Sequence, residues 1–194
     1  MIFGVMGKAR SGKDTFAEFL AEELFKDRRS KYILMAYATE IKLRAQKDFD
    51  LSWDQLWGDL KEVQDKRFLK SRETEEYWTP REIMQGYGQF YRSIDHDYWV
   101  KALFEVIDDR EYKNVIVTDV RFPNEVQAIR DRNGLIFHVI RDDRPSINGS
   151  CDISETALDE FKADVTVDNS LSLVELREAA KGGVDIVKIM MEGV

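Results

Sequence analysis

The chain has 194 residues, of which 43% are hydrophobic and 34% charged, and a formal net charge of −8. That length fits a single domain with an ample core, and the acidic balance argues against a protein that coats nucleic acid. A single cysteine, Cys151, excludes an internal disulfide; with no 18-residue apolar run and no basic-then-apolar leader, the expectation is a cytoplasmic chain without a membrane span.

The first predicted strand is the apolar run Ile2–Met6. It flows into Gly7-Lys8-Ala9-Arg10-Ser11-Gly12-Lys13-Asp14-Thr15 and then into a helix, on which Phe16, Phe19, Leu20 and Leu24 fall near one face. Strand, glycine-flanked loop, lysine, helix is the order of parts in a phosphate-binding P-loop. Gly7 and Gly12 let the loop curl, so that backbone N–H groups of Ala9, Arg10 and Ser11 face phosphate oxygens. The helix start adds unpaired N–H groups and a positive dipole end. Lys13 reaches the β- and γ-phosphates as a point charge, and Thr15 brings a hydroxyl close to them and to a metal. Asp14 departs from the general pattern, standing where Ser or Thr normally holds the metal. Nucleoside monophosphate kinases often lack that hydroxyl and carry Thr one place later, so the loop leans toward small-molecule phosphoryl transfer. The plainer alternative is a left-handed turn capped by Gly12.

A second strand is expected at Tyr32–Ala36. The following stretch, roughly Thr39 to Lys113, is too long for a simple crossover and reads as a helical insertion. Ser52 with Gln55 resembles a capping box, and Thr79-Pro80-Arg81-Glu82 is a stronger one. Trp53, Trp57, Trp78 and Trp99 read as packing residues, Trp99 the least clearly. His96, between Asp95 and Asp97, does not make a metal site.

The third strand, Val115–Thr118, ends in Asp119, and Arg121 follows two residues later. In P-loop proteins such a carboxylate orders magnesium, often through water. Alternatively Asp119 caps the next helix and Arg121 pairs with Glu125. That helix starts near Asn124 and ends at Asn133-Gly134. Strand Leu135–Ile140 carries His138 as a sheet residue and leads into Arg141-Asp142-Asp143-Arg144. These arginines either close over phosphates or form a solvated charge cluster. Val165–Val167 is the fifth strand. The alternation implies an α/β fold, a five-stranded, mostly parallel sheet flanked by helices. Its strand ends would gather Gly7–Gly12, Asp119–Arg121 and Arg141–Arg144.

These segments, in this order, resemble the deoxynucleoside monophosphate kinases of tailed phages. Gly7–Thr15 is similar to that family's Ser-Gly-Lys-Asp-Thr loop, including the Asp. Arg81-Glu82-Ile83-Met84-Gln85-Gly86-Tyr87-Gly88, then Asp97-Tyr98-Trp99-Val100-Lys101, resembles its Arg-x-x-Met-Gln-x-x-Gly and Tyr-Trp-Val-Lys stretches. Thr118-Asp119-Val120-Arg121 with Asn124-Glu125, His138–Arg141, Ile153-Ser154-Glu155 and Asp168-Asn169-Ser170-Leu171 continue the likeness.

The resemblance implies a P-loop kinase fold: a core at about 1–38 and 113–194, a helical monophosphate-binding insertion at about 39–112 and a short lid at about 141–153. It implies transfer of the ATP γ-phosphate, with magnesium, to a (deoxy)nucleoside monophosphate. Lys13 and the loop would hold ATP, and Thr15 and Asp119 would serve the metal. Arg81, Gln85, Arg92 and Trp99 would lie at the monophosphate site, with Lys42 and Arg144 approaching it. Arg121 and Arg141 would contact the phosphates in flight, and Asn169 and Ser170 would approach the adenine. No nucleic-acid partner is expected, a homodimer is compatible with the reading, and a phage source would place the chain in the host cytoplasm. Two rival activities are a kinase for another small phosphorylated metabolite and a regulatory ATPase.

Overall fold

The computed structural model describes residues 1–141 and 161–192. These fall into two compact units, one formed by residues 1–36 with the chain from 104 onward and the other by Tyr37–Leu103.

In the first unit, β1 (Ile2–Met6), β2 (Ile33–Met35), β5 (Val115–Val120), β6 (Leu135–Ile140) and β7 (Val165–Asp168) form one sheet in the order β2-β5-β1-β6-β7. Every pairing in it is parallel. The five strands are those expected from the apolar runs, with β5 reaching two residues further, through Asp119 to Val120. Central β1 pairs Phe3 with Ile116 on one side and Leu135 on the other. The chain crosses to one side of β1 for β2 and to the other for β6, so the carboxyl end of β1 is a switch point where ligands bind in such sheets.

Strand alternation builds the layers. Phe3 and Val5 join Phe137 and Val139 in a cluster with Phe16, Leu20 and Leu24 of α1 (Lys13–Arg28) and with Leu176, Ala180, Val184 and Val187 of α7 (Leu173–Glu192). Gly4 faces the other way, toward Ile129 of α6 (Pro123–Arg130). Burying each large apolar side chain contributes about 1.5–3 kcal/mol. Phe19, expected on the inner face of α1, is partly buried and packs at the margin of that cluster. Helix α6 ends at Arg130, earlier than Asn133-Gly134 suggested. The chain turns there because Asn133 adopts a left-handed φ of 56° and Gly134 N–H donates to Ile129 O at 3.0 Å.

The second unit holds α2 (Tyr37–Phe49), the short α3 (Trp53–Leu56), a 3-10 turn at Asp59–Glu62, a hairpin of β3 (Leu69–Ser71) and β4 (Glu76–Tyr77), α4 (Pro80–Ile94) and the start of α5 (Tyr98–Asp109). Ala45, Leu51, Leu56, Ile83 and Met84 form its core. Both capping boxes are present: Ser52 and Gln55 exchange bonds of 2.8 and 3.3 Å, and Thr79 and Glu82 bonds of 2.9 and 3.2 Å. The antiparallel hairpin has no counterpart in the sequence reading. Its strands are two and three residues long and mostly exposed, so they leave no hydrophobic alternation to read.

A buried carboxylate ties this unit together. Asp65 is 8% exposed, accepts from Arg67 Nη2 at 2.7 Å and from Gln55 Nε2 at 2.7 Å, and its own N–H donates to Trp78 O at 2.9 Å. The Arg67 side chain, above all, holds the Asp65 carboxyl down at about 2. A depressed folded-state pKa stabilises fully above the unfolded value near 4, and that stability is lost as pH falls through about 2. Because Arg67 is half exposed, the contribution is on the order of 1 kcal/mol. Urea melts of the wild type and Asp65→Asn are expected to differ by a constant margin from pH 7 to about 4.5. That margin should close toward pH 2; one that persists unchanged at pH 2 contradicts the assignment.

Candidate active site

The loop after β1 is held from both ends. Ser11 N–H donates to Lys8 O at 3.1 Å, and Phe16 N–H donates to Gly12 O at 2.9 Å as α1 begins. Gly12 is the helix N-cap with φ of 90°, and no side chain caps the helix start. The first N–H groups of α1 are therefore left to solvent or to an anion. Ser11 Oγ is buried and has no hydrogen-bond partner among the described residues. Lys13 is only 7% exposed, and its Nζ lies 3.1 Å from Oδ2 of the well-exposed Asp14. A nearly buried ammonium beside an uncapped helix start is an anion site by charge and by geometry.

A cavity of about 470 Å³ opens over these atoms, lined by Arg10, Gly12, Lys13, Asp14, Thr15, Arg141, Asn169, Leu171, Leu173 and Leu176. The volume suits a small ligand. Arg141 lies immediately after β6, so the strand end delivers a guanidinium to the cavity. Leu171 and Leu173 are strongly exposed and give the opposite flank an apolar character.

Asn169 has a role the sequence did not disclose. It is buried, its N–H donates to Ile140 O at 2.8 Å, and its side-chain Nδ2 donates to Ser11 O at 2.7 Å. The residue expected to approach adenine is thus also a clamp on the phosphate loop, joining it to the residues after β7. Ser170 donates from both N and Oγ to Asp168 Oδ1, at 2.9 and 2.6 Å, which shapes the turn that presents Asn169.

Asp119 and Arg121 sit at the carboxyl end of β5, where Val120 is in register with Met6 just before the loop. Neither is among the residues lining the cavity. Glu125, weighed as a side-chain partner for Arg121, is buried and caps α6: its Oε2 accepts the backbone N–H groups of Arg121 at 2.7 Å and Phe122 at 3.1 Å. Thr15 and Asp119 offer hard oxygen donors. That donor set suits magnesium, which takes one or two protein oxygens and completes its shell with phosphates and water. Among the described residues, no group of three or more His, Cys, Asp and Glu forms a ready cage.

The residues expected at the monophosphate site lie in the second unit. Arg81, Gln85 and Arg92 recur at helical spacing along one flank of α4. Arg81 Nε is ion-paired with Glu62, and Lys42 Nζ lies 5.3 Å from the ring centre of Trp57. Trp99 also belongs to this unit. It is 1% exposed, and its indole N–H donates to Gly88 O at 2.9 Å, because a large ring with one donor gains most from burial with that donor satisfied. Arg144, Cys151, Ile153-Ser154-Glu155 and all of the expected lid beyond Arg141 lie outside the described residues. No helix among the described residues is long and apolar enough to cross a membrane.

A parallel sheet with a glycine-flanked loop at its switch point, a buried lysine and a strand-end arginine define a P-loop phosphotransferase. The sequence profile described as "Deoxynucleotide monophosphate kinase" matches residues 35–180, and the chain belongs to that family. The match begins after the phosphate loop, so loop and family are separate lines of support. A putative deoxynucleotide monophosphate kinase of Acanthamoeba polyphaga mimivirus is 26% identical over 192 residues, covering 90% of this chain and 91% of that protein. The deoxynucleotide monophosphate kinase of Enterobacteria phage T4 is 29% identical over 118 residues, 58% of this chain and 48% of its own length. An uncharacterised protein of Ictalurid herpesvirus 1 is 31% identical over 106 residues, 50% of this chain and 45% of that protein. The chain thus spans nearly all of the mimivirus relative and about half of the other two. A kinase of this family acts on small nucleotide substrates and takes its phosphoryl group from a nucleoside triphosphate.

Proposed function

We propose that the chain transfers the γ-phosphate of ATP to a deoxynucleoside monophosphate, giving ADP and the diphosphate. The observation that carries this reading is the nearly buried Lys13 at the uncapped start of α1, beside a cavity of nucleotide size. The family match over residues 35–180 supports a monophosphate as acceptor.

In the reaction an oxygen of the acceptor phosphate attacks the γ-phosphorus, the bond to the β,γ-bridging oxygen breaks, and ADP leaves. A monophosphate oxygen is already a nucleophile near neutral pH, so positioning and charge neutralisation carry the catalysis. Lys13 and the loop N–H groups hold the β- and γ-phosphates. Leu171 and Leu173 offer an apolar flank to the adenine, beside Asn169 and Ser170. Arg141 and Arg121 neutralise charge that grows on the transferring group. Thr15 and Asp119 would hold magnesium, which when bound would supply further neutralisation of the phosphate charge. Lys42, Arg81, Gln85 and Arg92 belong to the acceptor side. Arg144 is assigned there as well, and residues 141–153 to a lid that excludes water. Such an enzyme works on free nucleotides in the cytoplasm, the host's if the chain is phage-encoded. The charge of −8 accords with that and not with polymer binding.

The test is ADP release with ATP and magnesium against each of the four deoxynucleoside monophosphates and their ribo forms, with products identified by chromatography. Acceptor-dependent ADP with the matching diphosphate is expected. ADP release indifferent to every monophosphate would replace this reading with an ATPase.

A further inference from the structure

In the second unit, one face of α2 carries Ile41, Arg44, Ala45 and Asp48 at helical spacing. Ile41 lies against Gly88, where an added Cβ would come within 3.2 Å of its Cδ1. Asp48 accepts the Tyr87 hydroxyl at 2.6 Å. Between them, the Arg44 guanidinium lies 5.2 Å from the ring centre of Tyr98 and 5.8 Å from that of Trp99, and an Arg44 N–H donates to the Tyr98 hydroxyl oxygen.

This shelf is itself fixed. Tyr91 packs on Tyr98 with ring centres 4.6 Å apart, Tyr98 meets Trp99 edge to face at 4.9 Å, and Trp99 is anchored on Gly88 O. Other cations of this unit are answered by carboxylates: Arg81 by Glu62, Arg67 by Asp65, Lys70 by Glu82 and Lys101 by Asp95. Arg44 is half-buried, yet no carboxylate among the described residues lies within ion-pair distance of it. Its positive charge faces aromatic rings and a phenol. Holding a partly desolvated guanidinium this way costs free energy that an anion would recover, and a rigid planar fork matches two phosphate oxygens.

We propose that Arg44 is the cation that receives the phosphate group of the acceptor nucleotide, with Tyr98, Trp99 and Tyr91 as the shelf that orients it. The inference rests on the kinase reading for the identity of the acceptor, but the phosphate chemistry is read from Arg44 itself. Arg81, paired with Glu62, is then secondary at this site.

The experiment compares wild type with Arg44→Met, Arg44→Lys and Tyr98→Phe. Both Arg44 variants should raise KM for the monophosphate by about 10-fold or more while leaving KM for ATP within about twofold. Arg44→Lys fails with Arg44→Met because a lysine keeps the charge but not the stacked fork. Tyr98→Phe keeps the ring, loses the hydroxyl, and should show a rise of about threefold. Calorimetric titration without ATP supplies a readout that a merely structural role would not move. The monophosphate should bind the Arg44 variants about 10-fold more weakly, and the matching deoxynucleoside, which has no phosphate, should bind all four proteins alike. Equal weakening for nucleoside and monophosphate, or unchanged monophosphate affinity, overturns the proposal. Should wild type phosphorylate no monophosphate, the kinase reading falls, and the titration still decides Arg44 by itself. Absence of monophosphate binding by wild type overturns both.

Discussion

Replacing Lys13 with alanine is expected to lower turnover by roughly 100-fold or more while leaving the fold intact. The magnitude follows from removing a preorganised charge that the transferring phosphate meets in a site shielded from water. Survival of the fold follows from the surroundings of the side chain. Lys13 is nearly buried, and its partner Asp14 is well exposed, so truncation returns Asp14 to water instead of stranding a buried charge. Thermal melting within a few degrees of wild type, together with the turnover loss, is the predicted pair of results. A folded Lys13→Ala protein that turns over normally would remove the loop from the chemistry and with it the proposed reaction.

The second large effect is expected at Gly12. Its φ of 90° is a backbone conformation that residues with a Cβ rarely adopt, and an added Cβ would lie 2.2 Å from Asn169 Nδ2. Gly12→Ala therefore adds about 1–2 kcal/mol of backbone strain and drives Asn169 off Ser11 O. Leaving that buried amide unsatisfied costs a further 1–3 kcal/mol or so. Part of this falls on the loop's binding geometry, so ATP affinity should weaken by at least about 10-fold in calorimetric titration. Asn169→Gly provides the control: it removes the clamp and also the clash. The double variant Gly12→Ala/Asn169→Gly should be less impaired than the sum of the singles predicts, because the two residues interact directly. Strict additivity would mean that Asn169 does not hold the loop.

These two positions also mark how far the chain could be read in advance. The order strand, glycine-flanked loop, lysine, helix is local, and local backbone chemistry dictates it. So the loop, the five core strands, the N-terminal face of α1 and both capping boxes were legible from neighbours a few residues apart. Arg141 was legible too, because a strand end delivers the next residue to the edge where ligands bind. Asn169 was placed near the nucleotide by resemblance, but its hold on Ser11 spans 158 positions of chain and has no local signal.

Other features without a local signal have the same cause. Arg81 was placed at the acceptor by resemblance; that Glu62 meets it from a turn nineteen residues away had no local signal. Glu125 was weighed as a partner for Arg121; its burial and its hold on the backbone N–H groups of Arg121 and Phe122 are set by packing. The β3–β4 hairpin was invisible because exposed strands of two or three residues carry no period. Arg44 carried no signal at all: what distinguishes it is an aromatic shelf from residues 91, 98 and 99, more than forty positions further along. Sequence alone determined the class of fold, the phosphate loop and its lysine, since hydrophobic period and glycine placement act over a few residues. Tertiary structure decided which charges are neutralised and which stay available, because a charge's partner is set by packing between segments distant in the chain.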